Sequence, residues 1–192
     1  TLAVYPYRFA FRIRYALEGP VLQVAFQVEN RSEEPLYCGM GGHPGFNVPL
    51  EEGLTFEDYE LTFPEACTPR QVVFSPALQV APERPAYPLE EGRKLPLRHE
   101  LFDLDAVVLA GAPRQVTLSS PKGSHGVTVA YPQMPYVGFW HKPQTDAPYV
   151  CIEPWSILPG RDNLVEELSQ MPDMTTVAPG QTFENRWSIT IW

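Results

Sequence analysis

Residues 8–29 read RFAFRIRYALEGPVLQVAFQVE, and this stretch alternates apolar and polar side chains on both sides of a central turn signal. Successive side chains of a β-strand point to opposite faces, so each half predicts a half-buried strand. Glu18-Gly19-Pro20 separates the two halves by a short turn, which predicts an antiparallel hairpin. The apolar rows are Phe9, Phe11, Ile13 and Tyr15 in the first strand and Leu22, Val24, Phe26 and Val28 in the second.

Similar alternation recurs along the rest of the chain. Phe183 to Ile191 repeats the period of two, whereas only Asn163 to Ser169 has a brief helical pattern. The 22 prolines, about twice the usual frequency, disfavour long helices and suit short strands joined by turns. Ser75 to Leu97 is rich in proline and charge, which predicts a long excursion over the sheet surface. The shorter strand candidates are Tyr59 to Phe63, Gln71 to Phe74, Ala106 to Leu109, Gln115 to Ser119, Gly126 to Tyr131 and Tyr149 to Ile152.

These patterns together predict an all-β fold, an antiparallel β-sandwich. With 192 residues and 44 % apolar content, the chain is long enough to bury one full core, so we predict a single domain over residues 1–192. The net charge of -9 argues against a nucleic-acid partner or an anionic membrane surface, and favours a small neutral or polar ligand.

The cysteines and the first residues of the chain limit which classes of protein the sequence can represent. Cys38, Cys67 and Cys151 are far apart and form no CxxC pair, so neither a disulfide scaffold nor a zinc site is predicted. No apolar run approaches the ~18 residues of a membrane span, and no signal segment opens the chain, so a cytoplasmic protein is predicted. Because the first residue is Thr1 rather than Met, we expect a processed or partial form.

Two motifs carry the groups that proton-transfer chemistry needs. His43 precedes Pro44 and Glu153 precedes Pro154, and a residue before proline is pushed out of the helical region into extended backbone. Glu153 also lies between a strongly apolar run and Trp155, where an unpartnered carboxylate is costly. A stiffly held base and acid indicate general acid/base catalysis, and the apolar surroundings predict a raised pKa for the Glu153 carboxyl.

Six motifs in order along nearly the whole chain resemble the aldose 1-epimerase (galactose mutarotase-like) family. The resemblance is closest to the branch whose histidine stands in a His-Pro motif and whose glutamate stands in Ile-Glu-Pro-Trp. The motifs are YPYRF (5–9), GHPGFN (42–47), FDLDA (102–106), Trp140, CIEPW (151–155) and PGQTF (179–183).

The resemblance implies a β-supersandwich whose cleft binds a hexose. In that family a glutamate acts as general base on the anomeric hydroxyl and a histidine as general acid on the ring oxygen, and Glu153 and His43 match those positions. Asp105 matches an aspartate that binds sugar hydroxyls. No metal or organic cofactor is implied. The remaining substrate-binding candidates are Trp140 and Trp155, which offer flat apolar faces to a sugar, and Asn47 of the His-Pro motif.

The chain departs from the family at its start, because members normally carry a substantial portion before the YPYRF strand. A fragment or a shortened relative would leave strand edges open, so a homo-oligomer through exposed edges is expected. A glycosidase acting through Glu153 and Asp105 would leave His43 without a role. A cupin-type metal enzyme would need clustered histidines such as HxH, which the chain lacks.

Two alternatives remain beside a mutarotase acting on a free hexose. A catalytically silent carbohydrate-binding domain is the strongest rival. A hexose-6-phosphate epimerase of the same fold is the second, if Lys142 and Arg161 face the cleft. The other histidines have no motif support: we expect His99 and His125 at the surface and allow His141 at the cleft rim.

Overall fold

The computed structural model describes residues 2–192 and is built almost wholly of β-strands, as predicted. The described residues form a seven-stranded sheet, a five-stranded sheet and a two-stranded sheet, and each pairing between these strands is antiparallel. The strands are β1 Phe9–Glu18, β2 Val21–Asn30, β3 Leu36–Cys38, β4 Gly45–Asn47, β5 Glu60–Thr62, β6 Arg70–Val72, β7 Lys94–Pro96, β8 Val107–Ala110, β9 Gln115–Ser119, β10 Gly126–Ala130, β11 Tyr136–Trp140, β12 Tyr149–Trp155, β13 Thr175–Val177 and β14 Thr182–Ile191, with 3-10 helices at Phe56–Asp58, His99–Phe102 and Leu168–Gln170. The sheet orders are β1-β2-β14-β10-β9-β5-β7, β4-β12-β11-β8-β6 and β13-β3.

The predicted hairpin is present as β1 and β2. The strands pair continuously from Phe9 with Asn30 to Glu18 with Val21, so only two residues form the turn. Gly19 has a φ of +59°, a conformation that glycine adopts without steric cost, which explains its place in a two-residue hairpin loop.

The prediction that β1 is half buried is wrong. Phe11 is 47 % exposed and Tyr15 is 64 % exposed, although both lie on the face that β2 buries through Val24 and Val28. The physical reason is the position of β1 at the edge of the seven-stranded sheet, where no described element covers its apolar row. This row is therefore an exposed apolar surface.

The main core lies between the seven-stranded and five-stranded sheets. Val24 of β2 and Trp187 of β14 meet Val150 and Ile152 of β12 in one cluster of buried side chains. Since side chains alternate along a strand, the odd-numbered residues of β12 point to the opposite face of the five-stranded sheet. That outer face is partly covered by the excursion predicted for residues 75–97, whose Val80 packs in a smaller cluster on β6 and β8.

The predicted helix at Asn163 to Ser169 is absent; only a 3-10 turn at Leu168–Gln170 forms there. A helix of that length is marginal in water without a packed face, and Glu166 instead bonds Arg161. The six shorter strand predictions each match an observed strand. The three-residue strands β3, β4, β7 and β13 were not predicted, and β7 lies in the segment predicted as an excursion; β11 was not predicted either. Its central residues Val137, Gly138 and Phe139 are all buried, so the segment shows no polar alternation.

No helix among the described residues is long and apolar enough to span a membrane.

Candidate active site

Glu153 lies near the end of β12, on the face of the five-stranded sheet that points away from the main core. Val150 and Ile152 point into the core, so the pleat places Cys151, Glu153 and Trp155 together on the other face. Glu153 is nevertheless only 4 % exposed. Its neighbour across the sheet on β11 is Gly138, which has no side chain to occupy the space beside the carboxylate.

His43 reaches this carboxylate through the strand register. Gly41 pairs with Trp155 and Gly45 with Cys151, so His43 stands across from Glu153 in the same antiparallel register. The side chains meet with His43 Nε2 3.2 Å from Glu153 Oε1. The Glu153 side chain is 5 % exposed whereas that of His43 is 61 % exposed, so the imidazole faces the solvent side of the contact.

The two prolines explain why this part of the ladder is sparse. Gly42 N–H donates to Pro154 O at 3.0 Å and Ile152 N–H donates to Pro44 O at 3.2 Å. The reciprocal bonds cannot form because Pro44 and Pro154 have no N–H. Regular pairing resumes at β4, and His43 lies on extended backbone just before it.

Close backbone contacts fix the His43 segment. A Cβ atom at Gly42 would lie 2.7 Å from Cζ2 of the Trp187 ring, and one at Gly41 would lie 2.9 Å from Pro154 O. Distances below 3.0 Å are not tolerated without movement, so these glycines allow the segment to lie directly on β12 and on the indole of Trp187.

Burial dominates the electrostatics of the site. Removal from solvent raises the pKa of the Glu153 carboxyl, and the negative charge of Asp105 raises it further. The neighbouring His43 imidazole and the Trp155 indole oppose this rise, because both favour the ionised carboxylate. Glu153 Oε1 is buried and makes no hydrogen bond to any described residue. Its contact with His43 Nε2 is therefore a close approach between an acidic and a basic group that lacks hydrogen-bond geometry.

A cleft of about 390 Å³ opens over this pair, and we call it the Glu153 cleft. It is lined by Gly39–His43, Glu153, Trp155 and Ile157. A second, apolar cleft of about 600 Å³ lies on the other side of residues 39–44, against β1, β2 and β14. His43 lines both clefts.

The remaining predicted site residues lie around this pair at different positions. Trp140 stands edge-on to the His43 ring, with 5.8 Å between ring centroids. Asp105 is half buried before β8, where its charge acts on Glu153. Its φ of +97° is strained for a residue with a side chain, and its Oδ1 accepts a hydrogen bond from Ala106 N–H at 2.8 Å. Asn47 is exposed at the end of β4 and does not line the Glu153 cleft.

His125 is exposed as predicted, His99 is only partly exposed, and His141 does not take the position at the cleft rim that the sequence allowed. His141 is fully buried, not at the cleft rim, because it packs against Phe102 and Phe56. Its Nε2 is 3.0 Å from Nδ1 of His99, which is itself half buried and stacked on Phe56. Burial lowers the pKa of the His141 imidazole, which favours its neutral form.

The two cations considered for a phosphate do not line the Glu153 cleft. Arg161 forms an ion pair with Glu166 at 2.6 Å, and Lys142 is exposed on the loop after β11.

The sequence analysis gave Cys151 no role, yet its Sγ lies within 4.8 Å of one imidazole nitrogen of His43 and one carboxylate oxygen of Glu153. The two-residue spacing of Cys151 and Glu153 on a strand was the available signal.

Comparison with known proteins gives consistent results. The family model described as Aldose 1-epimerase matches residues 1–190. Protein LacX (chromosomal) of Lactococcus lactis subsp. lactis is 34 % identical over 195 residues, which cover 97 % of this chain and 63 % of LacX.

Solved structures agree with this match. The galactose mutarotase related enzyme from Lactobacillus acidophilus superposes with a TM-score of 0.91 at 30 % identity, over 100 % of this chain and 64 % of that protein. A galactose mutarotase-like protein from Lactobacillus casei gives 0.89 at 26 % identity, over 100 % of this chain and 66 % of that protein. The chain thus spans less than two thirds of the length of each of these three relatives.

Proposed function

The chain belongs to the aldose 1-epimerase family, and we propose that it interconverts the α and β anomers of an aldohexose by general acid/base opening of the sugar ring. The observation that carries the proposal is the 3.2 Å separation between His43 Nε2 and Glu153 Oε1 at the floor of the Glu153 cleft.

The reaction itself needs no more than an acid and a base. In a cyclic aldose, the anomeric hydroxyl oxygen and the ring oxygen are bonded to the same carbon, so the two reacting oxygens lie close together. Glu153 removes the proton from the anomeric hydroxyl while His43 donates a proton to the ring oxygen, and the bond between the ring oxygen and C1 breaks. Each group contributes about 10²–10⁴-fold to such a step.

Ring closure reverses these transfers. After rotation about the C1–C2 bond, the ring hydroxyl attacks the other face of the carbonyl, His43 takes back the hydroxyl proton, and Glu153 returns its proton to the carbonyl oxygen. The two groups end in their starting protonation states, so the cycle consumes no co-reactant. The raised pKa of the Glu153 carboxyl makes it a stronger base toward a weakly acidic hydroxyl than an exposed carboxylate is.

The surroundings of the pair suit a sugar. The cleft volume of about 390 Å³ is within the range of small-molecule sites. Trp155 lines the cleft and offers a flat apolar surface to the C–H face of a pyranose. We assign Trp140 to hold the His43 ring. Asp105 and Asn47 do not line the cleft itself, and they stay predicted contacts for sugar hydroxyls that extend beyond its edge. Because Lys142 and Arg161 lie outside the cleft, a free hexose is favoured over a phosphorylated one.

Polarimetry tests the proposal directly. The protein should accelerate the change in optical rotation of freshly dissolved α-glucose or α-galactose, and intrinsic tryptophan fluorescence should report sugar binding through Trp155. Binding without acceleration would favour the silent carbohydrate-binding domain. Acceleration confined to hexose 6-phosphates would instead favour the phosphate-specific enzyme.

A further inference from the structure

Two side chains that line the Glu153 cleft, those of His43 and Glu153, lie close to Cys151, and together they bring three different metal-ligating atoms to one place. Cys151 and Glu153 stand two residues apart on the same face of β12, and His43 stands across from Glu153. One imidazole nitrogen, one thiol sulfur and one carboxylate oxygen all lie within 4.8 Å of one another. Imidazole, thiolate and carboxylate are the ligand types that proteins use for Zn²⁺.

The unpartnered oxygen of Glu153 is an independent indication of a ligand. Glu153 is 4 % exposed, and its Oε1 makes no hydrogen bond to any described residue. A buried carboxylate oxygen without a donor is costly, and a bound cation satisfies it directly. The same oxygen faces the His43 nitrogen at 3.2 Å.

The distances fit a tetrahedral ion. With Zn–N and Zn–O bonds of about 2.0–2.1 Å, two tetrahedral ligand atoms are about 3.3 Å apart, close to the observed 3.2 Å. A thiolate sulfur at about 2.3 Å from the ion would lie about 3.6 Å from each of them, so the Cys151 sulfur must approach the other two atoms by at most about 1.2 Å. Gly45, the strand neighbour of Cys151, has no side chain and leaves room for this adjustment.

We propose that His43, Cys151 and Glu153 form a Zn²⁺-binding site whose fourth position opens into the Glu153 cleft. The Cys151 thiol gives up its proton to solvent as the zinc–sulfur bond forms. Bound Zn²⁺ occupies the lone pairs of His43 and Glu153, so it acts as a reversible inhibitor rather than as a cofactor. The inhibition rests on the proposed mutarotase function, whereas the binding does not.

Zinc affinity is measured with the reduced, metal-free protein by competition against a chromophoric chelator. One Zn²⁺ per chain is expected, with Mg²⁺ failing to compete because it prefers oxygen ligands. Cys151→Ser should weaken Zn²⁺ binding at least about tenfold. Cys67→Ser, which alters a cysteine that is not part of the cluster with His43 and Glu153, should leave the affinity unchanged.

Two further readouts keep the test decisive. His43→Asn changes an exposed side chain, so it leaves folding intact and should also weaken Zn²⁺ binding. Co²⁺ should give a thiolate charge-transfer absorption band that Cys151→Ser abolishes. Equal Zn²⁺ affinity in the native protein, Cys151→Ser and His43→Asn would overturn the site. Loss of mutarotation on adding Zn²⁺, restored by chelator, tests the inhibition separately.

Discussion

His43 and Glu153 face each other across one antiparallel register, with Nε2 and Oε1 3.2 Å apart, although one side chain is largely exposed and the other almost fully buried. Burial raises the pKa of the Glu153 carboxyl, which suits the role of base that we propose for it.

Removing the base should reduce catalysis with little change in structure. We expect Glu153→Gln to slow mutarotation by about 10²–10⁴-fold, because the amide cannot accept the anomeric proton at neutral pH. Polarimetry with α-galactose measures this rate. The matched control is Glu52→Gln, which makes the same change at an exposed glutamate and should retain the native rate. An unchanged rate in Glu153→Gln would remove this residue from the mechanism.

The pH profile should report the environment of Glu153. The base is active when ionised, and a raised pKa means that ionisation needs a higher pH than the ordinary value of 4.5. The acid limb of kcat/KM should therefore lie above pH 4.5. Asp105→Asn should move it to lower pH, because a negative charge that raises the Glu153 pKa is removed. An acid limb that moves upward in Asp105→Asn would contradict this assignment.

Gly42 should position His43 through its close contact with Trp187. A Cβ at Gly42 meets the rigid Trp187 ring at 2.7 Å, so Gly42→Ala must displace either the ring or the His43 segment. We expect a loss of kcat of about tenfold or more, since small displacements of a catalytic group are costly. Gly160→Ala is the control, because a Cβ there meets nothing within 4 Å. Native kcat in Gly42→Ala would show that the segment tolerates the shift.

The apolar row of β1 should mediate association with a second copy of the chain. β1 is an edge strand of ten residues, and Phe11 and Ile13 are 47 % and 45 % exposed. Unpaired backbone groups beside an exposed apolar row favour pairing with another chain. Light scattering at micromolar concentration should detect a dimer or larger species.

Ile13→Lys should shift this equilibrium toward monomer, whereas Arg14→Gln on the opposite face of β1 should not. Circular dichroism of each variant checks that the strands remain folded. A native protein that stays monomeric at the same concentration would contradict self-association through β1.

The main strands could be predicted from the sequence because their signal is local. The alternation in β1, β2 and β14 reflects the pleat, which sends successive side chains to opposite faces whatever the strand pairs with. The two-residue spacing of Cys151 and Glu153 likewise fixes their common face. β11 was not predicted because both of its faces are buried, so its sequence does not alternate between apolar and polar residues.

Local sequence patterns were enough to predict the strand faces, the extended backbone at His43 and Glu153, and the apolar neighbours of the carboxylate. The pairing of β4 with β12, in the register that sets His43 against Glu153 and beside Cys151, emerged only from the folded chain. The exposure of the apolar face of β1 and the burial of Glu153 likewise emerged only from the fold. Side-chain direction follows from local backbone geometry, whereas register and solvent exclusion depend on contacts between segments far apart in the chain.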